Sequence, residues 1–171
     1  MQSLNSSLDH GLNQSMSQEF ISSSFPAMYL PLQMDGLLVP DVVVAEIMAP
    51  GKITQKLKSP EWYVGSINWR GRKLPLVSFE SLNGASTVSP ENVTRVAVLN
   101  GLADHGHLPF YAIVVNGQPA LLNISEDDIE VHEGRPRGRA EAMSIAVKEL
   151  TAGIPNIEWV EQHLLAYTLN S

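Results

Sequence analysis

The sequence predicts an all-β protein, built as small barrels or a sandwich in two lobes of similar size and closed by one C-terminal helix. Three observations carry that prediction. Short apolar runs of strand length alternate with turn residues roughly every eight to twelve positions. The turn-rich connector 83–92, Asn-Gly-Ala-Ser-Thr-Val-Ser-Pro-Glu-Asn, divides the 171 residues near position 90. Only the last segment keeps a clear helical stripe, and neither alternating βαβ units nor a solenoid period is present.

Residues 1–24 are rich in Ser, Asn and Gln, and the stretch SLNSSLDHGLNQS has no sustained period. They read as a flexible leader, with a short helix docking on a partner as the alternative. After Pro26, MYLPLQMDGLLVP reads as a strand, an Asp35-Gly36 turn and a second strand. Pro31 demotes the first run to an edge or a bulge. DVVVAEIM is the third strand, with Val42, Val44 and Glu46 in step. A polar stretch to Pro60 precedes GSINWRGRKLPLVSF, a hairpin whose bend uses Gly71, because glycine takes positive φ at little steric cost.

VTRVAVL is a strand, 101–109 a loop, and FYAIVVN a continuous apolar run that suits a central strand. Asn116-Gly117 reads as a hairpin turn into PALLNI. Ser125 with Asp128 three residues on matches the start of a short helical turn. AMSIAVKEL has helical propensity, but Met143, Ile145 and Val147 alternate, which favours a strand. In PNIEWVEQHLLAY, Asn156 suits an N-cap and Glu158 and Glu161 the positive end of the dipole. Ile157, Val160, Leu164 and Leu165 share a stripe, so a helix is expected at about 156–167.

Composition narrows function. The formal net charge of −7 and pI near 5.1 argue against nucleic acid and anionic membrane as partners. There is no cysteine, so disulfides and thiolate chemistry are excluded. No apolar run approaches the roughly 18 residues of a membrane span, and no Lys or Arg precedes Lys52 as a secretory signal requires. The expectation is a soluble, cytoplasmic protein without membrane insertion.

No nucleophile elbow, phosphate loop or His-Glu-x-x-His occurs. His105 and His107 form the only close histidine pair, and an exposed polar loop explains them better than a metal. Glu126, Asp127, Asp128 and Glu130 lack the alternation of a calcium loop. Trp62, Tyr63 and Trp69 near Arg70 could stack bases, but basic residues are too sparse. The chain is therefore expected to be no enzyme and to need no cofactor or metal.

What remains is the bend itself. Arg70, Arg72 and Lys73 crowd one turn of an acidic chain. Solubility explains them, and so does a docking point, since a guanidinium can fork to a carboxylate. Gly65 can serve close backbone packing alone. Glu46 can be an exposed strand residue, a docking group, or a partner of Arg70 within the fold.

These residues carry a likeness. Gly65-Ser66-Ile67-Asn68-Trp69-Arg70-Gly71 followed by Leu74-Pro75-Leu76-Val77 resembles the Gly-x-x-Asn-Leu-Arg-Gly hairpin of the CheW-like domain family. Val44-Ala45-Glu46-Ile47 is similar to its Val-x-Glu-Ile strand, and Ala112–Asn116 to its Gly-Ile-Val-Val-Asp strand. Ile124–Ile129 and the terminal helix resemble the closing elements, so the likeness covers roughly residues 28 to 168. It departs at Ser78-Phe79-Glu80, where the family has Asp-Leu-Arg, and at Asn116.

The resemblance implies two pseudo-symmetric, five-stranded SH3-like β-barrel lobes within a domain at 25–168. The first barrel would lie at about 25–90 and the second at about 91–154. It implies a non-enzymatic adaptor coupling a chemoreceptor (methyl-accepting chemotaxis protein) cytoplasmic tip to the regulatory domain of a CheA-type histidine kinase. The residues implied for receptor coupling are Glu46, Gly65 and Arg70, with Val44 and Leu121 lining an apolar groove between lobes. Within the family, the chain most resembles the divergent accessory proteins of chemosensory pili systems, which govern twitching motility. The alternative is a small-ligand-binding β-barrel or regulatory subunit, which a closed pocket with convergent polar groups would mark.

Overall fold

The computed structural model describes residues 23–102, 106–135 and 138–170. The leader, apart from Ser23 and Ser24, lies outside the described residues, as does His105 of the histidine pair. Among the described residues, eleven strands form two sheets, followed by a C-terminal helix, as the fold class predicted.

The chain opens with β1 (Phe25–Pro31) and β2 (Gly36–Pro40), an antiparallel pair in which Pro31 faces Gly36. Pro31 is tolerated because β1 pairs with its other neighbour only as far as Tyr29, so no partner there asks for the missing N–H. Gly36 leaves room for the Tyr29 ring, whose atoms a Cβ would meet at 2.3 Å. A 3-10 turn at Asp41–Val43 replaces the expected start of the third strand, and β3 covers Val44–Met48. The hairpin β4 (Tyr63–Trp69) and β5 (Arg72–Val77) follows. Then come the short α1 (Phe79–Leu82), capped by Ser78, and β6 (Arg95–Asn100) with β7 (Phe110–Val115).

The second half has β8 (Ala120–Ile124), a capped 3-10 turn at Glu126–Asp128, and β9 (Ile129–Val131). A second hairpin, β10 (Glu141–Val147) with β11 (Leu150–Pro155), leads into α2 (Ile157–Leu169). The alternation of Met143, Ile145 and Val147 thus outweighs helical propensity. Asn156 caps α2 by accepting from the Trp159 N–H at 3.1 Å.

One sheet runs β3-β6-β7-β5-β4 and the other β8-β1-β2-β11-β10-β9. The orders match strand for strand, with β9 added to the second. In each, a single parallel contact joins two antiparallel hairpins, β5 to β7 and β2 to β11. The central position of β7 agrees with its apolar run.

The sheets divide the chain differently from a cut near residue 90. β1 and β2 pair with the C-terminal strands, while β6 and β7 complete the sheet of β3 to β5. Asn116-Gly117 is therefore no hairpin turn but the crossing between lobes. Its Asn116 N–H donates to the Pro31 carbonyl at 2.8 Å, and Arg95 donates to the Gly117 carbonyl. A local turn signal reports only that the chain bends, not which strand receives it.

Three apolar cores result. Each sheet encloses one: Val64, Ile67, Leu74, Leu76 and Val98 in the first, and Leu38, Ile124, Ile145 and Val147 in the second. The largest lies between the lobes, where Leu30 and Val39 meet Val77, Leu99, Tyr111 and Ile113. Val160 and Leu164 of α2 seal it. Each such side chain, fully buried, contributes about 1.5–3 kcal/mol from transfer alone.

Candidate functional site: the Glu46–Arg70 hairpin tip

Trp69 pairs with Arg72, so Arg70 and Gly71 alone form the bend between β4 and β5. Their φ values of 49° and 75° are both positive, as a two-residue turn matching the strand twist requires. Arginine in that conformation costs about 1 kcal/mol that glycine or asparagine would avoid.

Side chains around the tip hold it in place. The Trp69 ring is buried against Phe110, with centroids 4.8 Å apart. The Arg70 guanidinium lies over the Trp69 ring at 4.8 Å and that of Arg72 over Phe110 at 5.8 Å. Glu46 Oε2 accepts from Trp69 Nε1 at 2.8 Å and from Arg70 Nη2 at 3.1 Å. β3 and β4 are opposite edges of the five-stranded sheet, so the Glu46 carboxylate ties the edges together and closes the lobe.

The ion pair sits at the surface. The Arg70 side chain is 70% exposed and that of Glu46 38%. Such a pair contributes about 0–1 kcal/mol to stability. A guanidinium carries five N–H donors, and among the described residues Arg70 spends one on Glu46. It is neither tucked away nor free: it is positioned by an internal partner, yet most of it faces water.

Of the other residues implied by the resemblance, Gly65 has a different place. Its φ of +154° and the contacts a Cβ would make, 2.7 Å from Ile53 Cγ2 and 2.8 Å from the Thr54 carbonyl oxygen, mark a close-packing position. Ser66 next to it exchanges backbone hydrogen bonds with Thr54 at 2.9 Å. The 49–60 segment is thereby fastened to β4. Val44 opens β3, is half-buried, and packs against the core between lobes. Leu121 belongs to the other sheet, on its edge strand β8, 63% exposed and opposite Met28, which packs on the same inter-lobe core. The structure thus joins Glu46 to Arg70 directly; Val44 packs on the inter-lobe core, and Leu121 stays exposed beside Met28 at its margin.

Two residues escaped sequence reasoning. The sequence offers Trp69 only a stacking role that the sparse basic residues argue against, and does not show that its N–H shares the Glu46 oxygen with Arg70. For Glu161 the sequence suggests only a place at the positive end of the helix dipole. Glu161 is 1% exposed, and its Oε1 accepts from the Leu102 N–H at 2.8 Å, fixing Leu102 to α2. The signal was available, because Glu161 follows Ile157 by four and so falls on the apolar stripe. The buried Tyr111 hydroxyl lies beside it without a partner of hydrogen-bond geometry among the described residues. Burial, and then the nearby Glu161 charge, pushes that phenol far up, so it stays neutral.

A cleft of about 320 Å³ opens beside the β1–β2 turn and α1, lined by Asp35, Glu80, Asn83, Arg135, Glu141 and Ser144. Its polar groups largely engage one another. Arg135 pairs with Asp35, Glu80 accepts from the Gln33 N–H, and Asn83 donates to Glu141 at 3.3 Å. No group of three or more metal-ligating side chains occurs among the described residues, and no described helix is long and apolar enough to cross a membrane.

Comparison with known proteins agrees with this fold. Among solved structures, the chain is similar to the scaffolding protein TtCheW from Thermoanaerobacter tengcongensis, with a TM-score of 0.62 at 17% identity. That match covers 78% of this chain and 90% of the other, and shows the fold of two SH3-like β-barrel lobes. No curated protein matches. The model of the CheW-like domain matches residues 30–159, which spans both sheets and the Arg70 hairpin. This chain belongs to the CheW-like domain family.

Proposed function

We propose that this chain is a non-enzymatic adaptor that couples the cytoplasmic tip of a chemoreceptor to the regulatory domain of a CheA-type histidine kinase. The observation that carries it is a guanidinium fixed at a rigid hairpin tip by Glu46 and Trp69 and still 70% exposed. Such a group meets a carboxylate on a helical surface with little further loss of side-chain entropy. In this reading Arg70 makes the charged contact and Glu46 orients it. Val44 and Leu121 supply apolar walls, and Gly65 lets the neighbouring loop pack against the hairpin's base. The pathway we propose is a chemosensory system controlling type IV pili and twitching motility, acting in the cytoplasm. It rests on the sequence likeness alone, and genes for pilus motors beside this chain's own gene would support it.

Arg70→Glu tests the site. The variant should keep its melting temperature and bind a receptor tip about tenfold to a hundredfold more weakly, as loss of a charge-assisted contact of about 1.5–3 kcal/mol requires. Unchanged capture by a folded variant removes Arg70 from the interface.

A further inference from the structure

A second surface stands apart from the Arg70 tip. Trp159 and His163 of α2 stack with ring centroids 4.7 Å apart at 13°. Trp62 lies 5.1 Å from His163 and 5.4 Å from Tyr167, and Tyr63 lies 4.9 Å from Tyr167. The five rings make one continuous strip along the outer side of α2 and the start of β4, with His163 exposed and the others half-buried. Apolar Leu57 and Leu169 flank the Tyr167 end, 93% and 62% exposed.

That end is also basic. Lys56 Nζ stands 5.5 Å over the Tyr167 ring, and Lys52 and Lys58 belong to the same loop. The loop is held, since Thr54 bridges to Ser66, and Lys58 sits at φ 60°. Three of the chain's eleven basic residues thus fall within seven positions beside an aromatic strip, in a protein of net charge −7. Glu61 and Glu158 are the nearby acids, and Glu158 accepts from Gln162 toward the other end of the strip.

We propose that the occupant of this surface is the chain's own leader, residues 4–20. Three facts favour it. Asp9 and Glu19 are its charged residues, with no Lys or Arg, so its charge complements the lysine loop. Leu4, Leu8, Leu12, Met16 and Phe20 supply apolar side chains at four-residue intervals; that spacing drifts by about 40° per step on a helix, so consecutive pairs share a face although all five hold no single stripe. Reach is sufficient, because twenty-two residues precede Ser23 and span up to about 70 Å, while a domain of this size is roughly 40 Å across. The described chain starts on the second sheet, where Ser24 Oγ accepts from Asn123 Nδ2 at 3.1 Å. Docking would therefore tie the N-terminus of one lobe to α2 and the edge of the other.

The three tryptophans provide the test. Trp62 and Trp159 line the strip, whereas Trp69 lies at the far end of β4, about 20 Å from Trp62 along the strand. The chain has no native cysteine, so Asn13→Cys in the full-length protein takes a single nitroxide label. The indole N–H resonances of Trp62 and Trp159 should lose most of their intensity while that of Trp69 is retained. Adding Lys52→Glu with Lys56→Glu should restore both. Absence of selective broadening, or no recovery in the charge-reversed variant, overturns the proposal. So does broadening seen only when labelled and isotope-enriched chains are mixed, which would mark a second copy as the occupant.

Discussion

The two lobes repeat one plan and differ at its tip. β4–β5 and β10–β11 are equivalent hairpins at matching places in the two strand orders, with β9 beside β10 as the one addition. Both carry a register shift at the same distance from the turn, Tyr63/Gly65 in one and Glu141/Met143 in the other. Both turn through two residues, and in both a cationic residue takes positive φ: Arg70 at 49° and Lys148 at 54°. Each reaches back across its lobe to the opposite edge strand. Arg70 meets the Glu46 carboxylate on β3, and Lys148 Nζ donates to the Asn123 carbonyl on β8 at 3.1 Å. The same position thus closes both barrels, but only the first does so through a charged pair buttressed by a buried tryptophan. The planar guanidinium fork is held by two anchors, whereas the flexible ammonium rests on a backbone carbonyl alone.

The largest expected difference is at the register shift. Gly65→Val places a side chain against the Thr54 carbonyl oxygen at a φ of +154° and should cost about 3 kcal/mol or more. Its counterpart Met143→Gly should cost about 1 kcal/mol or less. Urea unfolding of both variants checks this, and equal losses would end the equivalence drawn here.

Next comes Trp69→Phe, which keeps the ring against Phe110 and removes the N–H donor to Glu46. It should cost about 1 kcal/mol in stability and loosen Arg70 without moving its charge. A stability loss with unaltered receptor binding would show that the tryptophan only closes the barrel. Smaller still, Lys148→Gly should stabilise the protein by up to about 1 kcal/mol, because relief of positive φ outweighs one exposed hydrogen bond. It should leave receptor binding alone, whereas Arg70→Gly should lose it. The least effect is expected at the turn beside Lys148. The Ser125 backbone N–H, then its hydroxyl, holds the Asp128 carboxyl below the usual carboxylate range. Its folded value therefore lies below its unfolded one. The stabilisation is present above about pH 4 and is lost as pH falls through the depressed value. Asp128→Asn should flatten that part of the acid limb of a pH-denaturation curve.

Much of the site was legible because its geometry is local. Gly71 after Arg70 marks a turn with positive φ, and two residues between apolar runs set the register, so the guanidinium had to sit at a tip. The Val44–Ile47 strand carried Glu46 by likeness to a family pattern. The distance between them was not legible: residues 46 and 70 meet only because the sheet curls its edges together. Close backbone packing at Gly65 was legible as one option, but not its partners, since nothing within the hairpin announces that Ile53 and Thr54 pack over it.

By itself, the sequence determined most of the strands and bends and the C-terminal helix with its Asn156 cap, because backbone preferences and apolar alternation act over a few residues; it did not announce α1, β9 or β11. It also determined the family, through a hairpin whose residues are contiguous. The tertiary structure alone decided that β1 and β2 join the C-terminal sheet, that Asn116-Gly117 crosses between lobes, and that Glu161 is buried beneath α2. Those outcomes depend on which apolar faces cover one another across scores of residues. Many pairings satisfy the local pattern equally well, and the packed core between the lobes selects one.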